Sequence, residues 1–231
     1  IAGNDDAFNA FINYHGIARV EIFETLIEIP NLFKNKKRSE SKRVGIVTTT
    51  GGGGAMVVES LSGSDIEIID PGLSIKKIMQ DNNIAFNNNK LVDLTIAGTK
   101  PEIVNEVISQ MMKNENCDLV VMVVGSSAKF RPEQAVEPLL KWANYPKPLA
   151  VYVAPDAPEA LNLLHQNNIA CFRTPESCAE SVKTFLNTKN PVKPSILKNN
   201  LSDISKKLKT NTSKNLSEEK ALEIFKDIGI E

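Results

Sequence analysis

The sequence predicts an α/β fold, a doubly wound parallel sheet of about five strands, on three observations. From Arg43 onward, strand-like and helix-like segments alternate. The strand-like segments are mostly short continuous apolar runs, as expected of strands buried on both faces. Proline stands at or near the first turn of four of the intervening helices, where its missing N–H costs nothing. Repeated βα units over roughly 145 residues suit a flavodoxin-like arrangement.

Residues 5–33 precede this pattern. The stretch "DDAFNAFINYH" puts Phe8, Phe11 and Ile12 on one helical face, and Gly16 suits a left-handed cap. "IARV" reads as a short extended piece and "EIFETLIEIPNLF" as a second helix. Neither helix has a sheet of its own to cover, so residues 1–40 are expected to finish a preceding domain. "KNKKRSESK" (Lys34 to Lys42) is then a charged linker, a basic run that signals solvation rather than nucleic acid.

The sheet domain is expected over residues 41–187. Its strands are Val44 to Thr48, Ile66 to Ile69, Leu119 to Val124, Leu149 to Val153 and Ile169 to Phe172. Its helices are Ala55 to Ser60, Ser74 to Asp81, Pro101 to Lys113, Pro132 to Trp142, Pro158 to Gln166 and Pro175 to Leu186. Residues 188–231 change character again. Asn187 to Asn215 holds seven Lys against one Asp, which reads as a linker with one short amphipathic helix through Leu201, Ile204 and Leu208. "LSEEKALEIFKDIG" follows, with Ser217 as N-cap and Gly229 as a stop, and looks like the first helix of a further domain.

Composition narrows the function classes. The 231 residues are 42% hydrophobic and 24% charged, an ordinary globular mixture. Lys plus Arg (27) balance Asp plus Glu (28), and the net charge of -1 gives no global case for nucleic acid or membrane as partner. No apolar run approaches the roughly 20 residues that span a bilayer, and no leader opens the chain, so a cytoplasmic location is expected. Cys117, Cys171 and Cys178 are never spaced C-x-x-C, which argues against a disulfide framework and a zinc site and for buried spectators. The chain opens at Ile1 without methionine, as expected of a segment of a longer polypeptide.

The chemistry concentrates at "TTTGGGGAM". Gly51, Gly52, Gly53, Gly54 and Ala55 follow the first strand, at the carboxyl end where open α/β sheets bind ligands. Bare amides there, with the positive end of a helix dipole, make a phosphate or other anion site. The alternative is a tight turn, but a turn needs only one or two glycines. The dinucleotide fingerprint fails at Met56 and the P-loop fails at Ala55, so the loop is a poor site for NAD or ATP alone.

Two further loops fall on the same rim. "KLVDLTIAGT" brings Asp93, Thr95, Gly98 and Thr99, and "VVGSSAKFRPEQ" brings Gly125, Ser126, Ser127, Lys129 and Arg131. With Thr50, these hydroxyls and glycine amides can hold a phosphoryl group, and Asp93 can orient a histidine or the loop. Capping a helix or turn is the competing role for Asp93 and Ser127. His15 and His165 lack partners at metal or triad spacing, and neither a Ser-His-Asp set nor a paired carboxylate site is visible.

"RVGIVTTTGGGGAMVVESL", "LVDLT" and "KPLAVYV…CFRTPES" together resemble the ADP-forming acyl-CoA synthetases (acetate:CoA ligase type) of the succinyl-CoA synthetase superfamily. The opening "IAGNDDAFNAFINYHGIARV" and closing "LSEEKALEIFKDIGIE" resemble, in the right order, the segments that flank this family's second flavodoxin-like domain. The resemblance implies that acid, CoA and ATP give acyl-CoA, ADP and phosphate through an acyl phosphate and a phosphohistidine. It places that histidine just upstream of Ile1, in a motif of which Ile1-Ala2-Gly3 is the end, so no catalytic nucleophile is expected within the chain. It assigns the Gly51–Gly54 loop and its helix to stabilising the phosphohistidine. It also implies CoA and ATP with Mg2+ held mainly by neighbouring CoA-binding and ATP-grasp domains, a small carboxylic acid as substrate, and a homo-oligomer when full length. Two departures stand out: the family's "GGPG" is "GGGG" here, and its "NPVD" is "KLVD", which keeps Asp93.

A non-ligating CoA- or acyl-sensing module of the same superfamily is the alternative, and it predicts no acid-dependent ADP release. A free flavodoxin-like domain binding flavin phosphate is a third reading, opposed by the few aromatics flanking the rim loops.

Overall fold

The strand β1 (Arg43–Thr48) is the axis of a parallel sheet in a computed structural model of the chain. Around it stand β2 (Glu67–Ile68), β3 (Leu91–Asp93), β4 (Leu119–Val124), β5 (Leu149–Val153) and β6 (Ala170–Phe172). Their order is β2-β1-β4-β5-β6, with β3 also against β1, and every pairing is parallel. The structure describes residues 3–34, 36, 39, 41–86, 90–192, 205 and 217–227. They belong to two units, Ile1–Asn190 and Pro191–Glu231.

Alternation along the strands builds two cores. Leu119, Val121 and Val123 of β4 face one layer, and Val120, Met122 and Val124 face the other. The second layer contains α5 (Leu73–Asp81), α6 (Pro101–Lys113), α8 (Pro132–Leu140) and α9 (Pro158–Gln166), which contribute Met79, Ile108, Leu139 and Leu164. The first contains α4 (Gly51–Leu61) and α10 (Pro175–Asn187), which contribute Val57, Leu61, Val182 and Phe185. Helices on both faces of a parallel sheet are the doubly wound fold expected from the sequence.

The N-terminal region behaves differently from expectation. The helix α1 (Asp5–Tyr14) ends at Gly16, whose φ of 65 is the left-handed cap foreseen there. Next come α2 (Phe23–Glu28) and α3 (Pro30–Phe33), which do cover a sheet. Ile29 and fully buried Leu32 join the core of Phe172 and Phe185. The seam with α10 is polar as well: Ser177 Oγ donates to Glu28 at 2.8 Å, and Glu180 accepts the backbone N–H of Glu21 at 2.6 Å.

Three elements depart from the sequence reading. The sheet has six strands, because Leu91–Asp93 pairs with the upper half of β1 while β2 occupies the lower half. A three-residue strand is too short to show a period. The helix after β1 starts at Gly51 instead of Ala55, so the glycines are its first turn. Low helix propensity hides them, but packing against the sheet overrides it. Ser127–Phe130, read as loop, is a one-turn helix, α7.

In the second unit, α11 (Glu218–Asp227) begins as expected, with the Ala221 N–H donating to the Ser217 carbonyl at 2.9 Å. The helix expected through Leu201, Ile204 and Leu208 and the stop at Gly229 lie outside the described residues.

Candidate functional site

The register of β1 and β3 sets Asp93 level with Thr48, at the carboxyl edge. Thr48 is fully buried and organises the exit from β1. Its Oγ1 accepts the Thr50 N–H at 3.0 Å and donates to the Thr50 carbonyl at 2.7 Å. That turn leaves Thr50 as N-cap of α4, in extended backbone and with no side-chain cap bond. The Gly54 N–H donates to the Thr50 carbonyl at 3.0 Å. Among the described residues, the amides of Gly51, Gly52 and Gly53 donate to nothing. Three unclaimed N–H groups at the positive end of an 11-residue helix favour an anion.

The four glycines have separate reasons. A Cβ on Gly53 would meet Thr50 and Val123 carbons at 3.0 Å, and one on Gly54 would meet Thr48 Cγ2 at 2.8 Å. These two let α4 lie against the sheet. A Cβ on Gly51 would lie 2.7 Å from Asp93 Oδ2, so Gly51 makes room for a carboxylate. A Cβ on Gly52 would meet nothing within 4 Å. Packing therefore explains two of the four.

Asp93 has a second attachment. Its Oδ1 accepts the Thr95 N–H at 2.9 Å, the turn-capping role weighed in the sequence. Thr95 has φ 45, a left-handed conformation that a β-branched residue adopts only under strain. The 3-10 turn Thr95–Thr99 carries Gly98 so close to Thr49 that a Cβ there would overlap the threonine side chain. Thr49 in turn accepts the Gly125 N–H on Oγ1 at 2.9 Å. Thr49, which the sequence reading passed over, thus ties all three rim loops together; its only prior signal is its place in the run "TTT".

The same contacts sort the other candidates. Ser126 and Ser127, with Gly98, Phe130, Arg131 and Gln134, line a cleft of about 360 Å³. Lys129 is exposed and does not line it. Ala55 points elsewhere, into a groove with Val58, Ile68 and Leu91, and is set apart from the free amides. His15 stacks on Phe11 with centroids 4.5 Å apart, and His165 Nδ1 lies 3.5 Å from Asn31 Nδ2. Neither histidine lines the cleft. The thiols are buried or half-buried and unpaired, and burial pushes Cys171 up to about 11 and raises Cys117 and Cys178 as well. All three are protonated at neutral pH and unsuited to attack. No group of three or more His, Cys, Asp or Glu that could hold a metal occurs among the described residues. No helix among them is long and apolar enough to cross a membrane.

No protein-family model and no curated protein matches the chain. Solved structures do match. The protein PH0766 of Pyrococcus horikoshii OT3 superposes with a TM-score of 0.67 at 18% identity, over 83% of this chain and 45% of that one. The dinucleotide forming acetyl-coenzyme A synthetase 1 of Ca. Korarchaeum cryptofilum, solved in complex with phosphate and ADP, gives 0.66 at 21% identity, over 83% and 43%. Its apo form gives 0.61 at 21%, over 79% and 41%. The chain thus spans less than half the length of the solved proteins that it matches. At such identities the likeness establishes the fold, a parallel α/β sheet of the doubly wound kind.

Proposed function

We propose that this chain is part of an ADP-forming acid:CoA ligase and that the N-terminus of α4 receives the phosphoryl group of a phosphohistidine. The observation that carries this reading is the pairing of three free amides, on Gly51, Gly52 and Gly53, with the carboxylate of Asp93 beside them. A bare phosphate meets amides that attract it and a carboxylate that repels it. A phosphohistidine suits both, because its phosphoryl oxygens accept from the amides while its imidazole N–H donates to the carboxylate. Neither His15 nor His165 lines the rim cleft, and in this reading the histidine comes from another domain or subunit.

In this reading the partner domains bind CoA and ATP with Mg2+ and supply the histidine. The contribution of the chain is to hold the phosphoryl oxygens with fixed amides, orient the imidazole through Asp93, and keep the rim loops in place through Thr49. Fixed dipoles of this kind need no reorganisation as charge develops. The order of the sequence motifs supports the assignment, as does the fold shared with an acetyl-coenzyme A synthetase whose structure holds phosphate and ADP.

Gly52→Asp tests it in the full-length protein. The position is sterically open, and an acidic residue in the first turn suits the helix dipole, so folding is preserved while a carboxylate occupies the phosphoryl position. Acid-dependent and CoA-dependent ADP release should fall by about a hundredfold or more. Unchanged release in Gly52→Asp, or none from the parent protein with any acid, would refute the reading.

A further inference from the structure

The helix α2 sits with its faces reversed. Its buried side carries Thr25, fully buried, and Glu28, whose side chain is 5% exposed. Its outward side carries Phe23, Leu26 and Ile27, which are 71%, 59% and 63% exposed. A surface helix ordinarily turns its apolar stripe toward the core and its polar side to water. The reversal has a cost inside, where the hydroxyls of Thr25 and, on α10, Ser181 are buried without a hydrogen-bond partner. The arrangement is nevertheless held at both ends of α2. Glu28 accepts the Ser177 hydroxyl at 2.8 Å and an Arg173 N–H at 3.0 Å, while Glu180 accepts the backbone N–H groups of Glu21 at 2.6 Å and Ile22 at 3.2 Å. These clamps keep the apolar side outward, as a preformed patch on the order of a few hundred Å².

Charge around the patch selects its occupant. Glu24, toward the N-terminal end, is exposed and makes no hydrogen bond or ion pair among the described residues. Arg173 lies at the other end beside Glu28, with its side chain 58% exposed and Nη1 alone engaged there. The patch thus has an acidic end and a basic end, with Leu26 midway between Glu24 and Glu28 in the helix. A two-fold axis through Leu26 lays a second α2 antiparallel on the first. Glu24 of each copy, about 3 Å from the centre at 1.5 Å per residue, then comes level with Glu28 of the other, where Arg173 has N–H groups to spare. One contact buries the apolar residues of both copies and forms two Glu24–Arg173 pairs, the self-complementary pattern of an isologous dimer. A uniformly charged partner matches one end and opposes the other.

We propose that the outward face of α2, with Phe23, Leu26 and Ile27 at its centre, binds a second copy of this chain about a two-fold axis. The inference is independent of the ligase reading and stands or falls without it. Sedimentation equilibrium of the 231-residue chain tests it. Wild type should dimerise with a Kd on the order of 10 µM, in keeping with a small interface. Leu26→Lys, at an exposed position, should keep the wild-type urea midpoint and raise the Kd by about a hundredfold or more. Glu24→Arg and Arg173→Glu should each weaken self-association about tenfold, since like charges then meet at both ends. Mixed one to one, the two variants should associate with each other about as tightly as wild type, because a basic patch then meets an acidic one. A wild-type chain that stays monomeric at about twenty times that Kd, a dimer that Leu26→Lys leaves intact, or two folded charge variants that fail to associate with each other would overturn the proposal.

Discussion

Asp93 Oδ2 lies where a side chain on Gly51 would begin, 2.7 Å from the position of its Cβ. A carboxylate thus stands at the positive end of α4 without hydrogen-bonding the amides there. Asp93→Asn keeps the acceptor for the Thr95 N–H and removes the charge. Free phosphate should then bind the chain several-fold more tightly, while phosphoryl transfer in the full-length protein slows by about tenfold as the imidazole loses its charged acceptor. Parallel loss or parallel gain in both measurements would contradict the role given to Asp93.

The glycines should separate by substitution. Gly54→Ala drives a Cβ to within 2.8 Å of Thr48 Cγ2 and should cost about 1–3 kcal/mol. Gly52→Ala enters open space and should stabilise by up to about 1 kcal/mol, since alanine has less unfolded-state freedom. Urea denaturation midpoints check both, and equal effects would show that packing does not distinguish the two positions.

Thr95 is strained where the rim needs its turn. Asparagine tolerates the left-handed region that threonine resists, so with φ at 45 Thr95→Asn should raise stability by about 1 kcal/mol. A destabilised variant would mean that the Thr95 side chain contributes contacts that outweigh the strain.

At the opposite end of β1, Asp118 accepts the Arg43 backbone N–H at 2.9 Å and its Nε at 3.1 Å. Burial alone would raise the Asp118 pKa, but the Arg43 hydrogen bonds outweigh it and hold the carboxyl below its ordinary 3.8. A depressed folded-state pKa stabilises above the ordinary value, and the contribution is lost as pH falls through the folded one. Asp118→Asn should therefore be less stable than wild type by about 2 kcal/mol near neutral pH, with the gap closing in acid below the carboxylate range. Denaturation curves across that range would disprove this if the gap stayed constant.

Much of this fold was legible because it is written in long, regular signals. Buried parallel strands such as Leu119–Val124 are unbroken apolar runs, and Pro101, Pro158 and Pro175 mark helix starts to the residue. What was missed depends on partners distant in sequence. The short β3 exists because half of the edge of β1 is left open, and α3 reaches the sheet because Leu32 joins the core around Phe172 and Phe33 packs its ring on Phe185. The same holds at the site. The tetraglycine reads in the sequence as an anion loop, but only the structure divides it into two packing positions, a neighbour of the Asp93 carboxylate and one sterically open position. Thr49, which ties the three loops, had no periodicity to mark it.

The most direct measurement is an amide-resolved titration of the chain with inorganic phosphate, in wild type and Gly52→Asp, at low and high salt. Saturable shifts confined to Gly51, Gly52 and Gly53, weakened by salt and absent from a folded Gly52→Asp, are the expected result. No saturable shift in wild type, or the same shifts in Gly52→Asp, would contradict the claim that the first turn of α4 is a phosphoryl site.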